Sequence, residues 1–88
     1  MIVKYRKAFF KDVSKIKSIK QVADIELITE IASNSKSTDE IPGLKMLRQY
    51  AGMARIEVAP YRIGVEIAGN TIIFKRVILR DYFYEQFP

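Results

Sequence analysis

The fold is decided by the stretch from residue 54 to residue 78. It reads Ala54-Arg-Ile-Glu-Val58, Ala59-Pro60, Tyr61-Arg-Ile-Gly-Val-Glu-Ile67, then Gly69-Asn70 and Thr71-Ile-Ile-Phe-Lys-Arg-Val-Ile78. Three segments rich in β-branched and aromatic residues are separated by two tight turns, and this pattern predicts three consecutive strands. In the first two segments apolar and charged side chains alternate, so one face of the sheet is apolar and the other is charged. The apolar face contains Ile56, Val58, Tyr61, Ile63, Val65 and Ile67, and the opposite face contains Arg55, Glu57, Arg62, Gly64 and Glu66.

The residues before this stretch supply a cover for the apolar face. A short strand is predicted over Ile2 to Arg6, a helix over Lys7 to Ser18 and a second helix over Gln21 to Ala32. Because the break between the helices is short, we expect them to pack as an antiparallel hairpin. Each helix has an apolar stripe: Phe9, Val13 and Ile16 on the first, and Val22, Ile25, Ile28 and Ala32 on the second.

The predicted architecture is one α+β domain over residues 1–88. Its order is β-α-α-β-β-β, with the helical hairpin packed on one face of a small, mainly antiparallel sheet. Leu44, Met46 and Leu47 fall in a loop region and are expected to plug the edge of the core. The tail from Leu79 to Pro88 is expected to form one helical turn or an extended cover.

The composition excludes several kinds of chemistry. The chain has no cysteine and no histidine, which excludes disulfides, Cys/His zinc sites, thiol nucleophiles and histidine acid–base pairs. There is no phosphate-cradling glycine loop, metal-ligand cluster or carboxylate dyad, so we expect neither a metal nor another cofactor. No apolar run approaches the roughly 20 residues of a membrane helix, and the N-terminus lacks a signal-peptide pattern. These features suit a cytoplasmic protein without a membrane partner.

Basic residues are unevenly distributed along the chain, whose formal net charge is +5. Residues 1–20 contain seven Lys or Arg against one Asp, and residues 21–42 contain one Lys against five acids. Residues 43–88 contain seven Lys or Arg against four acids. A basic protein favours polyanions or acidic proteins as partners. The alternative interpretation of the N-terminal cluster is a solvated, lysine-rich helix face.

The charged face of the sheet is the candidate site. Arginine suits phosphate because its planar fork matches the phosphate oxygens, and a tyrosine can stack on a base or transfer a proton. Gly64 lies between the charged residues, and a glycine inside a strand often marks a bulge or the close approach of another chain. The alternative is that Arg and Glu alternate only because cross-strand pairs of opposite charge stabilise an exposed sheet. Further basic residues and a phenol lie nearby if the tail turns back: Lys75, Arg76, Arg80 and Tyr84.

Segments spread over nearly the whole chain resemble the RelE/ParE superfamily of bacterial toxins from type II toxin–antitoxin pairs. Their order and spacing carry the resemblance more than any single segment does. They are Phe9-Phe-Lys-Asp, Ile41-Pro-Gly-Leu-Lys-Met-Leu47, Arg55-Ile-Glu-Val, Tyr61-Arg-Ile-Gly-Val-Glu-Ile67, Ile73-Phe-Lys-Arg-Val, Leu79-Arg-Asp-Tyr-Phe-Tyr and the closing Phe87-Pro88.

The resemblance implies a ribosome-dependent endoribonuclease that cuts messenger RNA without a metal, by attack of the 2′-hydroxyl on the adjacent phosphate. It implies that Arg62 stabilises the charged transition state and that Tyr84 is a general acid or base. Arg55 and Arg80 match the other basic residues of the catalytic set. If the protein is such a ribonuclease, we expect Arg48, Lys75 and Arg76 to bind RNA. The implied partners are the ribosome, the mRNA and an acidic antitoxin that is partly disordered and folds on binding.

The sequence also departs from the pattern of the family's ribonucleases. Glu57 stands where many of them have a second Lys or Arg, and its carboxylate either repels phosphate or serves as a general base. Ala54 replaces a usual aromatic residue, Ala59-Pro60 a usual Gly-Asp turn, and Leu79 a frequent histidine. Two alternatives therefore stay open: a ParE-like inhibitor that binds DNA gyrase and cuts nothing, and an inactive relative that binds the antitoxin.

Overall fold

The computed structural model describes all residues from 1 to 88 and consists of a five-stranded sheet with helices packed on it. The spatial order of the strands is β1-β5-β4-β3-β2, and only the β1–β5 pair is parallel. The predicted α+β class and mainly antiparallel sheet are confirmed. The elements are β1 (Ile2–Tyr5), α1 (Lys7–Ser14), α2 (Ile19–Asn34), a 3₁₀ turn (Thr38–Glu40), β2 (Leu44–Met46), β3 (Met53–Val58), β4 (Tyr61–Ala68), β5 (Thr71–Leu79), a second 3₁₀ turn (Arg80–Tyr82) and α3 (Phe83–Gln86).

Two tight turns join the three long strands, as predicted. Ala59-Pro60 connects β3 to β4, and Gly69-Asn70 connects β4 to β5. Gly69 has a φ of +58°, a left-handed conformation that glycine adopts without steric cost. The first turn pairs Glu57 with Arg62 directly across the two strands.

The main core lies between the helices and one face of the sheet. Ile56, Ile63 and Val65 are fully buried there, which confirms the predicted apolar face. Phe9 of α1 and the stripe of α2 pack against them, and the buried members of that stripe are Ile25, Ile28 and Ala32. Helix α1 ends four residues earlier than predicted, yet Ile16 still contacts the core from the connection. None of the helices is long and apolar enough to cross a membrane.

Strand β2 was assigned to a loop in the sequence analysis. It is only three residues long and pairs with β3 in antiparallel register, Leu44 opposite Ile56. Three residues are too few to establish a period of two, so the sequence carries no strand signal there. Leu44 packs against the main core as expected, but Met46 is exposed, so its predicted role as a core plug is wrong.

Asp12 of α1 closes the free edge that β5 presents beyond the end of β1. Its carboxylate accepts hydrogen bonds from the backbone N–H of Val77 at 2.9 Å and from Nε of Arg76 at 2.8 Å. The hydrogen bond with Asp12 raises the pKa of Arg76. Partial burial of Arg76 opposes this rise, and the negative charge of Asp12 adds to it. Arg76 is therefore engaged in holding α1 against the sheet.

Candidate functional site

The C-terminal segment turns back over the charged face of the sheet and forms a second, smaller core there. Ile78, Phe83 and Phe87 are buried together, with Leu47 and Met53 packed against them. Alternation along β5 does not predict this cluster, because a bulge interrupts the β4–β5 pairing between Gly64 and Val65. A bulge inserts one residue, so beyond it β5 reverses its faces and Ile78 lies opposite Arg62 rather than facing the helices.

The tail approaches the sheet closely at Gly64. A Cβ atom built on this residue would lie 2.6 Å from the ring of Phe87, far inside van der Waals contact. The expected bulge at this glycine is confirmed, and the close approach comes from the protein's own C-terminal segment rather than from another chain. The contact fixes the position of α3 on the sheet.

We expect Gly64→Ala to destabilise the protein by about 1–3 kcal/mol, because the added methyl group forces the Phe87 ring and the tail away from the sheet. Urea unfolding monitored by circular dichroism measures this change. In a Phe87→Ala background the same substitution should cost much less, since the clash is gone. Equal costs in both backgrounds would show that the ring contact does not determine the effect.

Three arginines converge on one carboxylate on this face. Nε of Arg62 donates a hydrogen bond to Oε2 of Glu57 at 2.7 Å, and Nη1 of Arg55 lies 3.5 Å from the same oxygen. Nη1 of Arg80 lies 3.9 Å from Oε1. We call Arg55, Arg62 and Arg80 the arginine cluster. The sequence predicts these residues on one side of the molecule, and in the structure all three contact the carboxylate of Glu57.

The arginine cluster is partly buried and keeps a positive charge. The side chains of Arg55 and Arg62 are only 17% and 18% exposed, whereas Arg80 is 59% exposed. Three guanidinium groups against one carboxylate leave a local excess of two positive charges (3 − 1 = 2). Charges in such a partly dehydrated position act more strongly on a bound anion than charges in open water do. This arrangement suits a phosphate group.

Tyr84 lies next to the arginine cluster because α3 carries it there. The guanidinium carbon of Arg62 is 5.6 Å from the centre of the Tyr84 ring, within the range of a cation–π contact. The buried ring of Phe83 packs edge-on against Tyr84 at 5.2 Å and anchors it. Tyr84 itself is 61% exposed, so its hydroxyl is available to a ligand.

A groove of about 440 Å³ adjoins the cluster. Its lining consists of Arg55, Tyr84 and Phe87 together with the segment from Lys45 to Tyr50. Arg48 lines this groove together with Lys45, so the predicted RNA-binding Arg48 lies beside the predicted catalytic residues. The groove is open to solvent, and three of its lining residues, Lys45, Arg48 and Arg55, are positively charged. These properties favour an extended polyanion over a small enclosed ligand.

Lys75 and Arg76 lie apart from this groove. Nζ of Lys75 contacts Oε1 of Glu66 at 3.5 Å, and Arg76 is held by Asp12. Their role in RNA binding stays a prediction, and the structure gives Arg76 a structural task that the sequence analysis did not foresee. No three His, Cys, Asp or Glu side chains gather into a group that could hold a metal ion.

The fold is shared with toxin chains of known toxin–antitoxin complexes. The structure is similar to the toxin–antitoxin complex RelB-RelE of Methanococcus jannaschii, with a TM-score of 0.82 and 36% identity over 97% of this chain and 99% of that chain. It also shares its fold with the RelBE2 complex of Mycobacterium tuberculosis, with a TM-score of 0.72 and 20% identity over 90% of this chain and 96% of that chain.

Sequence identity assigns the chain to one family among these toxins. The chain is 38% identical to Toxin RelE3 of Methanocaldococcus jannaschii over 89 aligned positions, covering 100% of both proteins. No protein-family model matches the chain. The chain belongs to the RelE family of toxins, and the resemblance noted from the sequence is confirmed.

Proposed function

We propose that this protein is the toxin of a type II toxin–antitoxin pair and acts as a ribosome-dependent messenger RNA endoribonuclease. The observation that carries the proposal is the convergence of three guanidinium groups beside an exposed tyrosine. Cleavage of a phosphodiester by attack of the neighbouring 2′-hydroxyl is a transesterification, and it needs a proton acceptor, a proton donor and stabilisation of a negatively charged transition state. The groove on this face supplies candidates for the last two requirements.

The arginine cluster provides the electrostatic part of the reaction. Attack of the 2′-hydroxyl on the adjacent phosphorus builds negative charge on the non-bridging oxygens, and preorganised donors are most effective where such charge develops. Arg62 is the central member because it lies between Glu57 and the Tyr84 ring. An arginine stays protonated, so it stabilises charge rather than accepting the proton.

Tyr84 is the proposed proton-transfer group. The 5′-oxygen that leaves the phosphorus must receive a proton, and a phenol next to guanidinium groups is suited to donate one. The 2′-hydroxyl releases its proton to solvent water as its oxygen bonds to phosphorus, and the bond between phosphorus and the 5′-oxygen breaks. Tyr84 gives its proton to the departing 5′-oxygen and regains one from solvent, which leaves a 2′,3′-cyclic phosphate and a 5′-hydroxyl. No metal ion takes part in this scheme.

The proposed partners are the ribosome, translated mRNA and an acidic antitoxin, all met in the cytoplasm. The similar Methanococcus jannaschii structure is an antitoxin–toxin complex, which supports an antitoxin for this chain as well. A positively charged groove and a net charge of +5 suit both an acidic protein and RNA.

Mapping of transcript ends after expression without a partner protein tests the proposal. We expect new ends within the codons of translated messages, and none in the same messages after the start codon is removed. Cleavage that ignores translation would exclude ribosome dependence. DNA damage with intact transcripts would identify a gyrase inhibitor instead, and unimpaired growth would identify an inactive relative.

A further inference from the structure

Glu57 contacts all three members of the arginine cluster, although its charge is the wrong one for binding phosphate. We propose that Glu57 is a positioning residue for the proposed cleavage: its carboxylate gathers the three guanidinium groups at one point before the RNA arrives. This inference rests on the proposed function, since it assigns Glu57 a task within that reaction. It replaces the two earlier alternatives for Glu57, repulsion of phosphate and general base catalysis.

The first reason is that the cluster needs an anion to assemble. Arginine side chains have many rotamers, and three positive charges placed together repel each other. In the free protein the carboxylate that forms ion pairs with Arg55, Arg62 and Arg80 is that of Glu57. Its position directly opposite Arg62 in the β3–β4 ladder is set by the tight turn between these strands. The backbone therefore holds the anion in place.

The second reason is that Glu57 occupies few of the available donors. A guanidinium group has five N–H donors. Arg62 uses Nε for Glu57, and Arg55 and Arg80 each approach it with Nη1. The terminal nitrogens of Arg62 form no hydrogen bond within the protein and remain free for phosphate oxygens. Glu57 can thus hold the cluster while a phosphodiester binds to it.

The substitution Glu57→Gln tests this role, with Glu66→Gln as the matched control. Glu66 lies on the same face of the sheet, its side chain is equally exposed at 32%, and it contacts Lys75 outside the cluster. In single-turnover cleavage of ribosome-bound mRNA by the full-length protein, Glu57→Gln should lower the cleavage rate constant on the order of 10²-fold, because the reacting groups lose their alignment. Its half-saturating concentration should not rise, since a negative charge has been removed. Glu66→Gln should cleave at the wild-type rate.

A second measurement on the free proteins separates positioning from proton transfer. In ¹H–¹⁵N spectra the Nε–H of Arg62 should give a slowly exchanging signal in the wild type and in Glu66→Gln, and a rapidly exchanging one in Glu57→Gln. Cleavage by Glu57→Gln at the wild-type rate would overturn the inference and leave the proposed function intact. Lost cleavage with an unchanged Arg62 signal would assign proton transfer to Glu57 and also overturn it. If the wild type and Glu66→Gln fail to cleave, the proposed function is refuted, while the spectra still decide whether Glu57 holds Arg62.

Discussion

Replacing Arg62 by alanine will abolish growth inhibition without unfolding the protein. Removing one donor that stabilises the transition state typically lowers a rate constant by about 10²–10³-fold, and Arg62 contacts both Glu57 and the Tyr84 ring. Its side chain belongs to neither of the two buried cores, so the fold should persist. Growth after induced expression, cleavage of ribosome-bound mRNA and circular dichroism of the purified variant together measure the effect.

Lys20→Ala is the control for the loss of one positive charge. Lys20 is an exposed residue at the start of α2 and pairs only with Asp24 on the same helix. Such an exposed pair contributes about 0–1 kcal/mol, so this variant should remain stable and fully toxic. If Arg62→Ala is fully toxic, the proposed site is wrong. If both variants lose toxicity equally, the effect is explained by the loss of one positive charge from the protein and not by the position of Arg62.

Replacing Phe74 by alanine should destabilise the protein strongly and lower its melting temperature. Phe74 is fully buried on β5, and its ring lies 5.6 Å from Phe9 of α1 and 5.7 Å from Tyr5 of β1. Truncating a buried phenylalanine costs about 3–5 kcal/mol, and small domains have only about 5–15 kcal/mol of stability in total. The melting temperature, followed by far-ultraviolet circular dichroism, should fall by roughly 12–40 °C.

Leu27→Ala is the control for losing an apolar side chain. Leu27 belongs to α2 but is exposed, so its truncation should change the melting temperature by only a few degrees. A similar small shift for Phe74→Ala would contradict the packing of β1, α1 and β5 around this ring.

The part of the fold that the sequence predicted is the part set by local patterns. Alternation in β3 and β4 identified the apolar face, and the turns at Ala59-Pro60 and Gly69-Asn70 identified the hairpins. The pairing of Glu57 with Arg62 follows from the first turn. In a hairpin with a two-residue loop, residues at equal distances before and after the loop lie opposite each other.

The part that escaped prediction depends on contacts between distant segments. The bulge beside Gly64 reverses the faces of β5, so Ile78 joins the tail and Val77 joins the main core. The single extra residue leaves no pattern that alternation alone would detect. The interaction between Asp12 and Arg76 spans 64 positions in the sequence and was equally invisible.

In the candidate site, too, the features set by local sequence patterns were predicted and those set by distant contacts were not. The sequence placed Arg55 and Arg62 on one face, with Arg80 beside them if the tail turns back, and the structure brings the three together. It also placed Tyr84 near them on condition that the tail turns back, which the packing of Phe87 on Gly64 brings about. The part played by Glu57 could not be foreseen, because only the geometry shows that one carboxylate reaches all three arginines.

The most direct test is a structure of the protein on a ribosome whose mRNA carries 2′-O-methyl groups, which prevent attack on phosphorus. We predict that one backbone phosphate of the mRNA lies within hydrogen-bond distance of the free guanidinium nitrogens of Arg62, with Tyr84 beside it and Glu57 still bound to Nε. An mRNA that runs over the helical side of the sheet, or whose phosphates lie beyond the reach of Arg55, Arg62 and Arg80, would contradict the account.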